Sequence, residues 1–480
     1  MHLLPRAASF DSLSQRHGER YKWLVLLVVG LGTIAGVLST TSFSVAIPAL
    51  MRDFGLGQEQ VQWTMTGFMA AMTVGMLPTP WILDRLGFRK LFLGAIVLLM
   101  ATSIAGSLAT SYPFVVAMRI LQGLAAGVLQ PLGTLAVVRL FPDKGQGRAS
   151  GTLGFGIVLA PAVAPSLGGL LLDHFGWPAI FLINLPACLL AGALGLYLLP
   201  LPREIVRRDF DWLGVALLTV STLAIVEGIA SLQHSGPAAG WTLLQFGFAA
   251  LAVGAFVLHA RKARHPIISL GLFRRRSFSM GTVVSFAYGF GLFGSSYLIP
   301  VFLQHAQHFS ATAAGTALLP SGIVLALTIP LAGRMADRHS PQGVTIAGLA
   351  LFCLSFVFFS LVAAHITYPE IITATVLGRI GLGLVLPALS LATLKHLEPH
   401  HLGQSSVVIS YMRQLGGVLG IAMSAVFVSW RETVYAGAAD GVAAAYADGF
   451  MLVAGVFLIA LMAACLMKAQ PPHRQDAQPL

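Results

Sequence analysis

The chain has 480 residues, of which 56% are hydrophobic and only 10% charged, with a formal net charge of +11. So little charge cannot cover the surface of a soluble domain of this size, which leaves a polytopic membrane protein. The positive charge sits in loops between apolar runs, so it reads as topology, with membrane lipids as contacts and no nucleic-acid partner.

Windows of about 20 apolar residues predict fourteen spans, at roughly 23 to 50, 59 to 82, 90 to 108, 113 to 138, 149 to 172, 179 to 200, 210 to 231, 241 to 259, 279 to 303, 311 to 333, 343 to 363, 369 to 394, 404 to 429 and 448 to 467. Arg6, Arg16 and Arg20 precede the first span, and every second loop is basic, from Arg85, Arg89 and Lys90 to Lys468 and Arg474. The positive-inside rule then places both termini in the cytoplasm. The first span has no cleavage pattern and is too long for a signal peptide, so it is expected to stay attached. Cys188, Cys353 and Cys465 stand singly in apolar runs, where helix packing is expected rather than a disulfide or a metal.

The first span ends in "LSTTSFSVAIP", with Ser39, Thr40 and Thr41 as polar groups in apolar surroundings. After the second, "LDRLGFRK" sets Asp84 beside Arg85, Arg89 and Lys90 at a helix end. Carboxylate and guanidinium groups there can latch two helices and release them; the other reading is a loop that only sets topology. In the fourth span Arg119 lies about six residues, or roughly 9 Å, inside the helix. An ionised side chain at that depth must be paired or wetted, either lining a cavity or bonded to backbone carbonyls. It shares a face with Gln122, Gly123 and Ala126, and Gln130 follows further along.

The fifth span contains "GFGIVLAPAVAPSLGG", in which Gly154, Pro161, Pro165 and Gly168 follow a helical period and Gly169 lies four beyond Pro165. Small and kinking residues on one face let another helix come close, whether for packing alone or for coupling. Asn184 lies in the sixth span, Tyr288 and Tyr297 in the ninth, and Arg379 and Arg413 in the twelfth and thirteenth. Glu227, toward the outer end of the seventh, is either a buried proton carrier or an interface-solvated group.

Two stretches echo each other. "LDRLGFRK" is matched by "GRMADRHSPQG", with Asp337 and Arg338, and "RILQG" from Arg119 is matched by "RIGLG" from Arg379. The offset of about 250 to 260 residues implies two parallel six-helix halves with the seventh and eighth spans left between them. The expected domains are a tail over 1–22, a bundle over 23–200, a linker with two spans over 201–278, a second bundle over 279–468 and a tail over 469–480.

With "VQWTMTGF", "FLINLP", "DFDWLG" and "RQLGG" in order beside the motifs above, the chain resembles the major facilitator superfamily, specifically its fourteen-helix drug:proton antiporter family (EmrB/QacA type). The resemblance runs from about Tyr21 to the last span. It implies an all-α fold of two six-helix bundles plus two linker helices, and a secondary transporter that exports amphipathic compounds by alternating access, driven by proton influx. In that family the fifth-span motif seals the cavity against leak, and the Asp84 and Asp337 segments gate it. Arg119 lines the cavity and takes part in proton coupling. Ser39, Thr40, Thr41, Gln122, Gln130, Asn184, Tyr288, Tyr297 and Arg413 are the expected substrate-cavity residues, with helix packing as the other reading of each. A periplasmic adaptor and an outer-membrane channel accompany some members in a bacterial inner membrane.

Four positions depart from the pattern: Ser39 for the usual first-helix carboxylate, Ser44 for asparagine, Pro80 for glycine and Ala164 for glycine. Without the first carboxylate, Asp84 or Glu227 would have to carry the proton, or the protein exports a metabolite without proton coupling. An enzyme or receptor is the remote reading. No H-E-x-x-H, G-x-S-x-G or phosphate loop is present, and no cofactor is expected.

Overall fold

The structure, a computed structural model, describes residues 13, 15–16, 18–141, 145–200, 209–236, 239–309, 311–394, 397–398, 401–438 and 440–467. Apolar runs in lipid must satisfy every backbone N–H and C=O within the segment, and a helix does so. The helices are α1 (Arg20–Thr41), α2 (Gln58–Met76), α3 (Thr79–Ser107), α4 (Tyr112–Leu140), α5 (Gln146–Phe175), α6 (Leu185–Leu198), α7 (Trp212–Ser235) and α8 (Gly240–Lys262). They continue with α9 (Arg276–His305), α10 (Ala311–Arg338), α11 (Pro341–Val362), α12 (Tyr368–Leu394), α13 (Leu402–Val434) and α14 (Gly441–Leu466).

Among the described residues, twelve helices are long and apolar enough to cross a membrane, and α2 and α5 are not in that set. The expected fourteen spans therefore reduce to twelve by this measure. Composition accounts for α2, which carries Gln58, Glu59, Gln60, Gln62 and three threonines; α5 includes side chains outside the described residues, so the count does not reach it.

A second difference lies at "LDRLGFRK", expected to be a loop. It forms the bent beginning of α3, broken at Gly87 (φ 77, ψ 164). A positive φ of that kind favours a residue without Cβ, so one helical piece ends at Gly87 and the next starts there in a new direction.

In the last six helices a dry aromatic cluster forms the core. Phe352 lies 4.0 Å from Phe457 and Phe359 lies 4.9 Å from Phe450, centroid to centroid. The core of the first six is more mixed, built on Tyr21, Phe92, Ile96 and Leu99, and it continues onto Phe256, Phe278 and Tyr411. Tyr21 donates its hydroxyl to the Leu198 carbonyl at 2.9 Å, closing α1 on the end of α6.

The two groups of helices meet along two seams. At one, α5 crosses α10 backbone to backbone: a Cβ on Gly147 would stand 2.2 Å from the Gly333 carbonyl oxygen, and one on Gly333 would stand 2.1 Å from that of Gly147. At the other, Phe68, Met72 and Ala126 pack on Val407 of α13. The α7–α8 pair is joined by Ser231 and Thr242 at 2.7 Å and tied to α13 by Thr222 and Tyr411 at 2.7 Å.

Asp211 fastens this pair. Its carboxylate caps α7 by accepting from the Gly214 N–H (2.8 Å), and it also accepts from the Ile267 N–H (3.0 Å) and His259 Nε2 (2.6 Å). Burial alone would push the Asp211 carboxyl up, but the three hydrogen bonds outweigh it and hold the group below the usual carboxylate range. A depressed folded-state pKa contributes stability that is full above the unfolded value of about 3.9 and is lost as pH falls through the lowered one. Asp211→Ala is expected to destabilise the protein by about 2 kcal/mol near neutrality, since it strands buried donors. Thermal unfolding in detergent against pH checks this: the gap between mutant and parent should persist from pH 7 to 5 and narrow only in stronger acid.

Candidate functional site

Arg119 is the centre of a buried polar chain. Gly123, one turn on, lets α4 sit against α2 so closely that a Cβ there would be 2.3 Å from the Phe68 carbonyl oxygen. That approach brings the guanidinium, 1% exposed, to the backbone of two neighbours. Nε donates to the Thr64 carbonyl at 3.1 Å, and Nη1 donates to the Ser39 carbonyl at 2.9 Å and to Gln122 Oε1 at 3.0 Å. The rings of Phe43 and Phe68 cover its two sides at 4.3 and 4.1 Å.

The chain runs on with consistent donors and acceptors. Gln122 Nε2 donates to Ser103 Oγ (2.8 Å), Ser103 Oγ to Asn184 Oδ1 (2.9 Å), Asn184 Nδ2 to Ser39 Oγ (2.6 Å), and Ser39 Oγ to the Ala35 carbonyl (3.1 Å). Four helices, α1 to α4, and the Asn184 turn before α6 are thereby fixed to one another. Nothing in it can lose a proton near neutral pH. The partners of Arg119 are two backbone carbonyls and Gln122 Oε1, while Nη2 makes no hydrogen bond among the described residues.

The remaining expected cavity residues divide. Thr40 turns back to the Gly36 carbonyl at 3.2 Å, and the side chain of Thr41 lies outside the described residues. Gln130 of α4 faces α13, accepting from Arg413 Nη2 at 3.4 Å across the seam between the two groups of helices. Tyr288 is 1% exposed with an unpartnered hydroxyl, and it lies within electrostatic reach of both Arg413 and Arg379. Tyr297 is half-buried toward Glu432 instead. Arg379 reaches only Ser296 Oγ, at 3.4 Å.

At the helix ends the two acidic segments take different neighbours. Asp337, at the end of α10, accepts from the Gly147 N–H (2.7 Å) and the Arg148 N–H (2.9 Å), so a carboxylate of one group caps the first turn of α5 in the other. Asp84 lines a cavity of about 160 Å³ with Asp209, Arg264, His265, His401 and Gln404, at the start of α13. Arg85 lies over Trp81, and Arg89 donates to the Leu196 carbonyl at 2.6 Å. Arg338 is exposed.

Along α5, a Cβ on Gly154 would meet Ile329 at 2.9 Å, one on Gly168 would meet Val45 at 3.0 Å, and one on Gly169 would meet nothing within 4 Å. The small residues therefore serve two neighbours, α10 and the end of α1. The side chains of Pro161 and Pro165 lie outside the described ones. Glu227 is half-buried on α7.

Thr64, Ser103, Phe43 and Phe68 were not expected at the site. They enter through backbone approach and ring stacking, for which a lone serine or phenylalanine in an apolar run gives no signal. Gly147 and Gly333 had one: each stands beside a basic helix end, next to Arg148 and Arg334.

Comparison with known proteins agrees with this architecture. The family model for the Major Facilitator Superfamily matches residues 29–421 and also 281–479. The chain is 31% identical over 414 residues to a "Multidrug resistance protein B homolog" of Mycobacterium tuberculosis, covering 85% of this chain and 77% of the relative. It is 30% identical over 416 residues to the "Tetracenomycin C resistance and export protein" of Streptomyces glaucescens, covering 85% and 76%. In fold it is similar to the human organic anion transporter MFSD10 (TETRAN), with a TM-score of 0.66 at 15% identity over 92% of this chain and 99% of that one. The chain belongs to the Major Facilitator Superfamily: it is a multi-pass membrane transporter with multidrug-resistance relatives.

Proposed function

We propose that the protein exports amphipathic organic compounds by alternating access, as a fourteen-helix transporter of the EmrB/QacA type in a bacterial inner membrane. The observation that carries this reading is the inter-group contact at α5 and α10. Gly147, Gly333 and the Asp337 cap close one end of the molecule, while a Cβ on Gly169, toward the far end of α5, would meet nothing within 4 Å. By the positive-inside rule the closed end is cytoplasmic. A tight contact at one end is what a rocking mechanism must make and break.

In this reading α2 and α5 also cross. Thirty residues of α5 are about 45 Å long, enough to span, with one face packed on α10 and α1 and Leu159, Leu167 and Leu170 exposed on the other. Residues 23–200 and 279–468 form the two moving bundles, with α7 and α8 as the linker between them. Proton coupling, if driven from within the chain, uses Glu227 or Asp84, because the Arg119 chain holds no acid. That absence favours export without proton coupling as the second reading. An outer adaptor and channel are not required by either.

Reconstitution in liposomes tests both. An imposed inward proton gradient is expected to drive uphill movement of a fluorescent amphipathic compound, and Glu227→Gln is expected to leave only downhill movement. Transport that is downhill and indifferent to pH in the parent protein removes antiport and leaves the second reading.

A further inference from the structure

Three groups on the last six helices stand near mid-depth. Arg413 lies 11 residues into α13 and Arg379 lies 11 into α12, about 16 Å from their starts, and Tyr288 lies 12 into α9, about 18 Å. Glycines hold two of them together, Tyr288 and Arg413: a Cβ on Gly289 would be 1.9 Å from the Arg413 carbonyl oxygen, and one on Gly416 would be 2.0 Å from that of Phe286; Arg379 reaches the same helix α9 at Ser296. The α9 and α13 backbones touch, which fixes Tyr288 beside the Arg413 turn.

The charge balance here is one-sided. Among the described residues neither arginine makes an ion pair, and each has a single side-chain hydrogen bond of 3.4 Å, at the limit of such contacts. A guanidinium offers five N–H donors, so most remain unused. The helices around them supply no counter-charge. Neither α4 nor α9 has an Asp or Glu, Glu370 stands in the first turn of α12, and Glu432 at the far end of α13 is engaged by His305 at 3.3 Å. Tyr288 adds a buried hydroxyl without a partner. Both arginine residues are partly exposed, unlike Arg119.

The geometry points to a binding site for organic anions, with the substrate carboxylate received by Arg413 and Arg379 and a further hydrogen bond from Tyr288. This rests on the export reading above and names its substrate class. A carboxylate matches the fork of a guanidinium and supplies the charge that the helices withhold. A lipophilic cation would meet two like charges and no acid.

The test uses the full-length protein in detergent and in liposomes, with 1-naphthylacetate and 1-naphthylethylammonium as a matched pair and inorganic phosphate as a competitor. The acetate is expected to bind roughly tenfold or more tightly than the ammonium in calorimetry. Arg413→Gln and Arg379→Gln should each weaken the acetate by roughly tenfold and Tyr288→Phe by a few-fold. Arg413→Lys, which keeps the charge and loses the fork, should fall between. If the glutamine variants do not fold, Tyr288→Phe and Arg413→Lys still decide.

Equal or tighter binding of the ammonium overturns the proposal, as does undiminished acetate binding in the variants. Displacement of the acetate by an equal concentration of phosphate also overturns it, in favour of a small-ion site. Uphill movement of a neutral dye without any anion preference sinks this inference and leaves the export reading standing. Acetate binding without transport of any compound does the reverse.

Discussion

Gly333→Val is expected to stop transport while leaving the protein folded. A Cβ there would fall 2.1 Å from the Gly147 carbonyl oxygen, and both partners are backbone, so no side chain can swing away. The helices α5 and α10 must part, and the state with that end closed loses several kcal/mol of preference. Roughly 5.5 kcal/mol is enough to turn a 99:1 population into 1:99. Single cysteines placed along the seam should become open to a water-soluble thiol reagent from the closed end in the variant and stay protected in the parent. Asp337→Asn, which weakens the α5 cap without a clash, should do the same by about 1 kcal/mol. Unchanged accessibility in Gly333→Val would mean that this seam is not the moving contact.

The second large effect is expected at Arg119. Arg119→Ala removes three donated hydrogen bonds, to the Ser39 and Thr64 carbonyls and Gln122 Oε1, and opens a void beneath Phe43 and Phe68. A loss of about 3 kcal/mol in stability follows from the lost hydrogen bonds and the cavity together. Arg119→Met, which refills the volume, should recover part of that loss and none of the order in the Gln122, Ser103, Asn184 and Ser39 chain. Thermal unfolding measures the first, and transport of any accepted compound measures the second, with a reduction of roughly tenfold or more expected for both variants. If Arg119→Met transports normally, the chain is architecture alone.

Twelve of the fourteen expected span positions, the echo between "LDRLGFRK" and "GRMADRHSPQG" and the place of Arg119 within its helix were legible because hydropathy and charge are written residue by residue. The partners of Arg119 were not. Two of its three hydrogen-bond partners are backbone carbonyls, and any residue type could have supplied those. Asp337 was legible as a gate candidate, but its partners are the N–H groups of Gly147 and Arg148, which a sequence cannot single out. The break at Gly87 was misread as a loop, since a glycine inside a basic stretch gives the same signal whether the helix stops or bends.

The pair "RILQG" and "RIGLG" looks in the sequence like one device used twice, yet Arg119 is sealed between two rings and Arg379 hangs by one long hydrogen bond. A molecule with that inequality has a handed interior despite its repeated frame. On the proposed anion site, cargo that needs a positive partner is expected to travel off the symmetry axis, along the wall of the later helices, and a blocker would have to fit only that wall.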